Sequence, residues 1–296
     1  MFCGDGTTVN GKRPVTNGRD MNRTWLVIDS HNLCHRAWHS LPKLSWKGRP
    51  TEVIFGFLNS VDVLRRHFVT DDIVFCFEDS RSSFRKKLFA DYKSKRHTPN
   101  PDPVEVQSRE MLYQQIVGLR ERHLPKAGFK NVLQYRGMES DDIMAVISRS
   151  LAYTKDDVIL VTSDSDLYQC LAPNVMIYSL HDKKLKTEKW FKETYGIPPS
   201  RWAFVKAVGG CHTDCVPGIP GVGETTALKY ARKELPKTTK AYQSIVAGKQ
   251  IILRNRALVE LPGGNCPIPE LVPHRWPDQG WRKMLQSLGA RTRMRA

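Results

Sequence analysis

The sequence predicts an α/β fold in which helices cover both faces of a largely parallel central sheet. Short apolar runs alternate with segments of helical spacing up to about residue 180, and this alternation is typical of parallel strands joined by helical crossovers. Acidic residues follow successive runs, at the edge of the sheet where sites form in such folds. Helical patterns dominate after residue 180, so a second, mostly helical region is expected.

Five apolar runs of four or five residues predict the strands of the sheet. Runs of this length suit buried strands, and none approaches the ~18 residues that a membrane-spanning helix needs. Turn-forming or charged residues follow most of them. The predicted strands are residues 24–28, 73–77, 131–135, 158–161 and 175–178.

Seven segments have the spacing of helices. Between residues 52 and 68 the apolar side chains fall on one stripe. The helix at 139–153 begins with acidic residues, where the helix dipole favours negative charge. The sequence HTPNPDP at residues 97–103 ends the basic helix predicted at residues 81–96. The predicted helices are residues 52–68, 81–96, 104–122, 139–153, 187–195, 200–208 and 225–233.

The chain is strongly basic, which favours a polyanionic partner. Its 296 residues contain 46 Lys and Arg against 30 acidic residues, a formal net charge of +16. Nucleic acid is the partner that this balance favours, and a basic enzyme without such a partner is the alternative. The seven cysteines are scattered, odd in number and lack a C-x-x-C pair. A disulfide scaffold is therefore disfavoured, and a reducing, cytoplasmic location is expected.

Three regions are expected along the chain. Residues 1–20 have no hydrophobic segment and are rich in Gly, Thr and Asn, so they are expected to be a disordered leader and not a signal peptide. Residues 21–185 hold the α/β domain, with a basic segment at about 81–125. Residues 186–296 hold the mostly helical region, which includes a glycine-rich turn at 217–223 and a basic tail.

Seven acidic residues follow the predicted strands or open the helix after the third one. These carboxylates are expected to converge, because parallel strands end at one edge of a sheet. Divalent cations would relieve their repulsion, and oxygen ligands select Mg²⁺ or Mn²⁺ over zinc. Two such cations stabilise the attacking and leaving oxygens in phosphodiester hydrolysis. The candidate ligands are Asp29, Asp79, Glu139, Asp141, Asp142, Asp164 and Asp166.

Each acidic group also has a plain structural explanation. Asp29 could cap a helix, residues 139–142 could complement a helix dipole, and residues 164–166 could form a turn. The coincidence of all these groups at one sheet edge favours a metal site. His31 and His35 lie near Asp29 and are expected on the surface or in contact with phosphate, outside the catalytic set.

The basic segment at residues 81–96 has a pattern that suits nucleic acid. It carries seven Lys or Arg against one Asp, with Phe84, Leu88 and Tyr92 recurring every four residues. Cations there would neutralise phosphates, and an aromatic ring would stack on a base. A solvated helix that packs its apolar stripe into the core explains the same pattern.

The glycine-rich turn, PGIPGVG at residues 217–223, suits phosphate binding without base readout. Its glycines allow tight turns and close approach by another backbone. A helix follows, and free amides at a helix start can bind phosphate. Lys229, Arg232 and Lys233 are expected to share one face of that helix. The turn matches neither a P-loop nor a placed dinucleotide fingerprint, so an NTPase or a dehydrogenase is disfavoured.

Together these segments resemble the 5′-nuclease family, which comprises flap endonucleases, phage 5′-3′ exonucleases and the 5′-nuclease domain of bacterial DNA polymerase I. The resemblance runs from about residue 25 to 231 in the family's order and spacing, and it is most similar to a phage or other stand-alone member. It implies a PIN-like domain, a helical arch over about residues 81–125 and a helix-three-turn-helix region around the glycine turn. The matching stretches are LVIDSHN, FRKKLFADYKSKR, GMESDDIMA, VTSDSDLYQ and TDCVPGIPGVGETTALKYA.

The resemblance also implies a role for each candidate residue. Lys93 would contact the scissile phosphate from the arch, and Arg96 would be the second catalytic cation. The first metal ion would be held by Asp29, Asp79, Glu139 and Asp141, with Asp142 beside it, and the second by Asp164, Asp166 and Asp214. A K⁺ ion is implied at the glycine turn. The DNA-binding residues would be Arg85, Tyr92, Gly218, Gly221, Gly223, Lys229, Arg232 and Lys233.

Two positions depart from the family's pattern. Cys211 stands where the family has the first aspartate of G-D-x-x-D, so the second metal ion is expected to be held weakly. A zinc site of Cys211, His212 and Cys215 is a weaker alternative. Glu78 could replace Asp79 as a ligand, and Asp79 is preferred because successive residues of a strand point to opposite faces.

The function that the resemblance implies is a Mg²⁺-dependent, structure-specific 5′-3′ DNA exonuclease or flap endonuclease. Its substrates would be DNA with 5′ ends, flaps or nicks, and RNA:DNA hybrids fall within its range. Mn²⁺ would substitute for Mg²⁺. A monomer without membrane contact is expected. The rivals are a non-catalytic DNA-structure-binding relative and a related metal-dependent ribonuclease.

Overall fold

The computed structural model describes residues 22–79, 83–94 and 102–289, and a mixed six-stranded sheet lies at its centre. The strands are β1 (Thr24–Asp29), β2 (Ser45–Trp46), β3 (Arg49–Pro50), β4 (Ile73–Cys76), β5 (Val132–Leu133), β6 (Asp157–Thr162), β7 (Val175–Ser179), β8 (Leu185–Lys186), β9 (Gly210–Cys211) and β10 (Val216–Pro217). The central order is β5-β4-β1-β6-β7-β8, and β8 is the antiparallel member. The pairs β2–β3 and β9–β10 form small hairpins.

Helices surround the sheet and form the second half of the chain. They are α1 (Ser30–Ser40), α2 (Glu52–Phe68), α3 (Ser83–Leu88), α4 (Pro103–Gly118), α5 (Leu124–Ala127), α6 (Ser140–Leu151), α7 (Glu188–Tyr195), α8 (Trp202–Gly209), α9 (Glu224–Ala231), α10 (Lys240–Ala247), α11 (Lys249–Val259) and α12 (Asp278–Ser287). A π-helical turn at Leu119–His123 joins α4 to α5. Among the described residues, no helix combines the length and the apolar character that crossing a bilayer requires.

The predicted fold class is confirmed, since the sheet is mostly parallel and carries helices on both faces. Helix α2 has the predicted bounds, whereas the basic helix predicted at 81–96 is only the short α3. The last predicted helix ends at Ala231, so Lys233 lies beyond it with a left-handed φ of 65°. Several predictions fall outside the described residues: the leader at 1–20, residues 81–82, the stretch 95–101 with Arg96, and the basic tail.

The central strand β1 shows how the sheet divides the core into two layers. Trp25 and Val27 pack in one apolar cluster with residues of α6. Leu26 and Ile28 pack in the other, which includes Phe57 of α2. This alternation follows from the two-residue period of a strand. Burying such side chains stabilises the fold by about 1.5–3 kcal/mol each. This burial holds β1 at the centre of the sheet.

The glycine-rich turn brings α8 and α9 together backbone against backbone. A Cβ atom at Gly218 would lie 2.4 Å from the carbonyl carbon of Gly209, so only glycine fits without a shift. The Ile219 amide donates to the Val208 carbonyl at 2.8 Å. Buried Asn255 of α11 donates from Nδ2 to carbonyl oxygens on both sides of this contact, of Ala207 and Pro217, at 2.8 Å each. The turn is therefore held in one position.

We expect Gly218→Ala to destabilise the protein by about 1–3 kcal/mol, because overpacking forces the two backbones apart. Gly223→Ala is the matched control, since Gly223 has a negative φ and nothing within 4 Å of the Cβ position. Its cost should stay below about 1 kcal/mol, the range for an N-cap change without a side-chain hydrogen bond. Urea unfolding of the two variants measures the difference, and equal losses would contradict the close-approach argument.

Candidate metal centre and nucleic-acid interface

Asp29 lies at the carboxyl end of the central strand and joins three elements. Its Oδ1 accepts hydrogen bonds from the Asn32 amide at 3.1 Å and from the Ser140 hydroxyl of α6 at 3.2 Å. Its Oδ2 accepts from the Thr162 hydroxyl of β6 at 3.1 Å. Asp29 caps α1, as expected if its role were purely structural. It also lies close enough to Glu78 and Asp164 for their charges to raise its pKa. The two explanations are therefore compatible.

Burial and mutual repulsion characterise the carboxylates around Asp29. Burial raises the pKa of Asp29 to about 6, and the charges of Glu78 and Asp164 act in the same direction. Burial also raises the pKa of Asp141 well above its usual value, and Asp164 and Asp29 raise it further. For Asp164 the causes of a raised pKa are burial and then the charge of Asp166. These groups lie close enough to disfavour one another's ionised forms.

One buried carboxylate oxygen of this cluster is available to bind a metal ion. Oδ1 of Asp141 is buried and has no hydrogen-bond partner. A buried polar atom without a partner is costly, and buried like charges are costly as well. A divalent cation with oxygen ligands would satisfy that atom and neutralise the repulsion. Asp29, Asp141 and Asp164 thus fit a hard cation on their own chemistry.

Glu139 connects the acidic cluster to the cations of the arch segment. Its Oε1 lies 2.8 Å from Lys93 Nζ, and its Oε2 accepts from the Tyr92 hydroxyl at 3.1 Å. Burial would raise the pKa of Glu139, but Lys93 and Arg85 outweigh it and hold the pKa below its usual value. The Lys93 amide donates to the Asp214 carbonyl at 2.9 Å. Lys93 therefore lies within the cluster.

Arg85 and Asp142 form a buried ion pair, which corrects two predictions. Arg85 is 2% exposed, so it is not a surface contact for DNA. Its two terminal nitrogens donate to Asp142 at 2.8 and 2.7 Å. The amides of Glu139 and Gly263 also donate to Asp142, at 3.1 and 2.6 Å. The protein itself thus satisfies both oxygens of the Asp142 carboxylate, which holds the start of α6 and needs no metal ion to balance its charge.

Tyr92 is also buried, and the predicted stacking on a base does not fit its position. It is 2% exposed and packs in a small cluster with Cys211 and Leu258. Its hydroxyl lies between two carboxylates, 3.1 Å from Glu139 and 3.3 Å from Asp214. Tyr92 therefore helps to position the carboxylates of Glu139 and Asp214.

A second cluster forms where three ligand atoms, of Asp166, Cys211 and Asp214, all lie within 4.8 Å of one another. The Cys211 Sγ is 3.9 Å from Asp166 Oδ2. Burial, followed by the charge of Asp166, raises the pKa of Cys211 to about 11. The structure thus brings position 211 to the acidic residues. Among the residues described, the alternative set with His212 and Cys215 is not assembled as a metal cluster.

Of the neighbouring residues Glu78 and Asp79, the sequence favoured Asp79 as a metal ligand, and the structure favours Glu78. The Asp79 carboxylate accepts from the Gly137 amide at 2.8 Å. The negative charge of Glu78 contributes to the raised pKa of Asp29, so Glu78 lies near that carboxylate. Strand β4 ends at Cys76, so the alternation that favoured Asp79 no longer applies two residues later. The structure favours Glu78 as the acidic residue at this position.

His31 is half-buried and helps to place Glu78. Its Nδ1 accepts the Glu78 amide at 3.1 Å. Burial, together with the charge of Arg120, lowers the pKa of His31 to about 4, so its ring is neutral near pH 7. A neutral ring can accept this hydrogen bond, whereas a protonated one cannot.

The predicted DNA-binding residues around the glycine turn are only partly available. Lys229 and Lys233 are exposed. The Arg232 Nε donates to the Tyr195 carbonyl at 2.6 Å, which ties Arg232 to the end of α7. Gly221 has a φ of 76° and open space at its Cβ position, so it shapes the turn without packing against it. Gly223 caps α9.

Sequence reasoning missed the polar side chains that support the ligands. Ser140 and Thr162 hold Asp29, and Lys206 places its ammonium 3.2 Å from Asp166 Oδ1. The signal for Lys206 was a single cation in an apolar helix, which is costly to bury unless it is paired. Ser140 and Thr162 adjoin predicted ligands, but their roles depend on the folded arrangement.

The chain matches one family model over residues 24–196, that of the 5′-3′ exonuclease N-terminal, resolvase-like domain. It is 31% identical over 207 residues to the thermostable DNA polymerase I of Thermus aquaticus, covering 69% of this chain and 23% of the polymerase. It thus spans under a quarter of that relative. Identity to a 5′-3′ exonuclease of Buchnera aphidicola is 29% over 236 residues, covering 79% of this chain and 78% of the exonuclease.

Solved structures with the same fold come from bacteriophage T5. A T5 protein co-crystallised with metal ions has a TM-score of 0.70 and 20% identity, covering 89% of this chain and 99% of its own. The T5 flap endonuclease in a complex with DNA and metal ions gives the same TM-score and identity, covering 90% and 100%. At this level of identity the likeness establishes the fold.

The Asp29 carboxyl group should lower the stability of the metal-free protein as the pH rises from about 4 to about 6. Its pKa is raised from 3.8 to about 6, so at this position the folded state binds more protons than the unfolded state in that window. The lowered pKa of His31 acts in the opposite direction over the same window, so the effect is measured as a difference between the wild type and Asp29→Asn. Each unit of pKa difference is worth about 1.4 kcal/mol. In thermal melts in EDTA, the melting temperature of Asp29→Asn relative to the wild type should rise over this window, and a constant or falling difference would contradict the prediction.

Proposed function

Because the chain belongs to the 5′-3′ exonuclease family, we propose that it is a metal-dependent, structure-specific nuclease that hydrolyses DNA phosphodiesters near 5′ ends, flaps and nicks. The observation that carries this proposal is the placement of Lys93 among two groups of carboxylates at the end of the sheet. Removal of RNA from RNA:DNA hybrids belongs to the same proposal. The chain is proposed to act as a monomer.

Two divalent cations, with Mg²⁺ the first choice and Mn²⁺ a substitute, would stabilise the attacking and leaving oxygens of the phosphodiester. Asp29, Glu139 and Asp141 would hold the first, with Glu78 now favoured over Asp79. Asp164, Asp166 and Asp214 would hold the second. This assignment is supported by the raised pKa values of Asp29, Asp141 and Asp164, because a bound cation favours their ionised forms.

Lys93 is proposed to act on the scissile phosphate, together with Arg96. Its ammonium lies 2.8 Å from Glu139 and 3.9 Å from Asp214, so it borders both groups of ligands. A phosphate between those groups would meet the ammonium directly, where a positive charge stabilises the negative charge that develops on the oxygens. The Lys93 amide donates to the Asp214 carbonyl, so the backbone of Lys93 is held close to this second group of ligands.

The glycine turn and α9 are proposed to grip duplex phosphates away from the reaction centre. Exposed Lys229 and Lys233 supply charge, and the turn of Gly218, Gly221 and Gly223 supplies close backbone approach, with K⁺ as a proposed ligand of the turn. Such contacts bind phosphates without reading bases. Selectivity would then come from the shape of the DNA.

One observation favours a second candidate function, that of a DNA-structure-binding relative with weak catalysis. Cys211 replaces a carboxylate with a buried thiol beside Asp166. A thiol is a poor ligand for Mg²⁺. Flap DNA with a labelled 5′ end, incubated with Mg²⁺, Mn²⁺ or EDTA, separates the two functions, because only the nuclease releases metal-dependent products.

We expect Asp141→Asn to abolish most cleavage, by about a hundredfold or more, because it removes charge from the oxygen ligands that stabilise the transition state. Binding of flap DNA in Ca²⁺ should persist, since the substitution leaves the phosphate-binding lysines in place. Single-turnover cleavage in Mg²⁺ and equilibrium binding in Ca²⁺ test both parts. Near-normal turnover at saturating Mg²⁺ would remove Asp141 from the ligand set.

Lys93→Ala and Lys229→Ala should separate chemistry from docking. Lys93→Ala is expected to lower the single-turnover rate about 10²–10³-fold with a smaller effect on affinity. Lys229→Ala is expected to weaken binding to all duplexes and to reduce the salt slope by about one. The two variants carry the same change of charge and are controls for each other. The same pattern in both would show that this division of roles is wrong.

A further inference from the structure

We propose that the second cation position prefers a thiophilic divalent ion of the zinc class over Mg²⁺, so that the enzyme holds two chemically different cations. The inference rests on the proposed function, because it concerns the ion at one of its two metal positions. It is carried by the assembly of Asp166, Cys211 and Asp214, which combines two carboxylates with one sulfur. Mg²⁺ sites use oxygen ligands, whereas a thiolate selects softer ions.

The three ligand atoms are already close to the spacing that one ion requires. They lie within 4.8 Å of one another. Zn–S bonds are about 2.3 Å and Zn–O bonds about 2.0–2.2 Å, so at tetrahedral angles two ligands of one zinc ion are about 3.3–3.7 Å apart. Shifts of up to about one ångström would complete the set. Tetrahedral zinc has four positions, so these three ligands leave one, which suits Asp164 as the remaining carboxylate assigned to this ion.

The backbone holds the sulfur at this place. Cys211 pairs with Val216 across the β9–β10 hairpin, and its side chain is 6% exposed. The same hairpin leads into the glycine turn, whose position is fixed by the contact of Gly218 with Gly209. The backbone of Cys211 is therefore fixed, and its thiol is buried there. It faces Asp166 at 3.9 Å.

The two metal positions differ in the hardness of their ligands. The first group offers only carboxylate oxygens, among them the buried Oδ1 of Asp141 without a partner. The second group includes the sulfur in place of one oxygen. Since ligand type decides which divalent ion a site retains, the first position should keep Mg²⁺ while the second discriminates against it.

Charge balance at the second position also suits a tightly held ion. On binding, the S–H bond of Cys211 breaks, the proton leaves to solvent, and a metal–sulfur bond forms. The thiolate and two carboxylates would then face the two charges of the ion and the ammonium of Lys206, 3.2 Å from Asp166. Lys93, 3.9 Å from Asp214, adds a further positive charge beside the same carboxylates.

Cobalt absorption tests the inference without DNA or turnover. Co²⁺ is titrated into the full-length, metal-free protein, because cobalt takes zinc sites and a thiolate ligand gives it a charge-transfer band in the near ultraviolet. The wild type should develop that band with one equivalent of Co²⁺, and Cys211→Asp and Cys211→Ser should lack it. Cys215→Ser is the control, since Cys215 lies four residues away in the same loop but outside the cluster. It should keep the band.

Zinc retention gives a second measurement. After loading with zinc and dialysis against excess Mg²⁺, the wild type should retain about one zinc per chain. The ratio of zinc to Mg²⁺ affinity should fall about tenfold or more in Cys211→Asp. Loss of a residue that only hydrogen-bonds a metal ligand already lowers metal affinity by about 10–100-fold, so replacing a ligand should have at least the smaller of these effects. Equal retention by the wild type and Cys211→Asp would overturn the inference, as would a cobalt band that survives in Cys211→Ser.

The outcomes separate this inference from the proposed function. A wild-type protein that cleaves flap DNA with Mg²⁺ but shows no thiolate band refutes the thiophilic site and leaves the nuclease intact. A wild-type protein that shows the band and loses it in Cys211→Ser, yet cleaves no DNA under any metal, supports the site and refutes the nuclease.

Discussion

The repulsion among buried carboxylates at the end of the sheet is the constraint on which the rest of the site depends. Burial raises the pKa values of Asp29, Asp141 and Asp164, and neighbouring carboxylates raise each of them further. The fold places cations beside the neighbouring acidic residues, with Lys93 at Glu139 and Lys206 at Asp166. It leaves the buried Oδ1 of Asp141 without a hydrogen bond. A cluster that is strained without metal and relaxed with it stabilises the metal-bound state selectively.

The Arg85–Asp142 ion pair transmits this arrangement to the arch. Removing two charges from water is expensive, and the bidentate geometry with two additional amide donors offsets that expense. One of those amides belongs to Glu139, so the ion pair fixes the start of α6 relative to α3. Lys93 and Tyr92 follow α3 within a few residues and meet Glu139 from the other side. Lys93, the proposed catalytic cation, and Glu139, a proposed metal ligand, are thereby held by one connected set of contacts.

The sequence was sufficient for features that depend on local pattern and insufficient for those that depend on burial. The stripe of α2 and the apolar run of β1 predicted their elements, because one face of each must be covered. The roles of Arg85 and Asp142 could not be separated from those of Lys93 and Asp141, since each pair has the same charges in the same motif. Glu78 was set aside because the strand was expected to continue, and β4 ends at Cys76. The convergence of acidic residues was predictable because parallel strands end together.

The thiol at position 211 changes the balance between the metal-free and the metal-bound states. Its pKa of about 11 keeps Cys211 neutral near pH 7, whereas an aspartate there would add a charge beside Asp166 and Asp214. The metal-free loop is therefore less strained than an all-carboxylate loop would be. The same substitution removes a hard ligand, so the gain without metal is matched by weaker retention of Mg²⁺. Because this loop is separate from the end of β1, which holds Asp29, and from the start of α6, which holds Asp141, its ligand type can change while those two carboxylates keep their places.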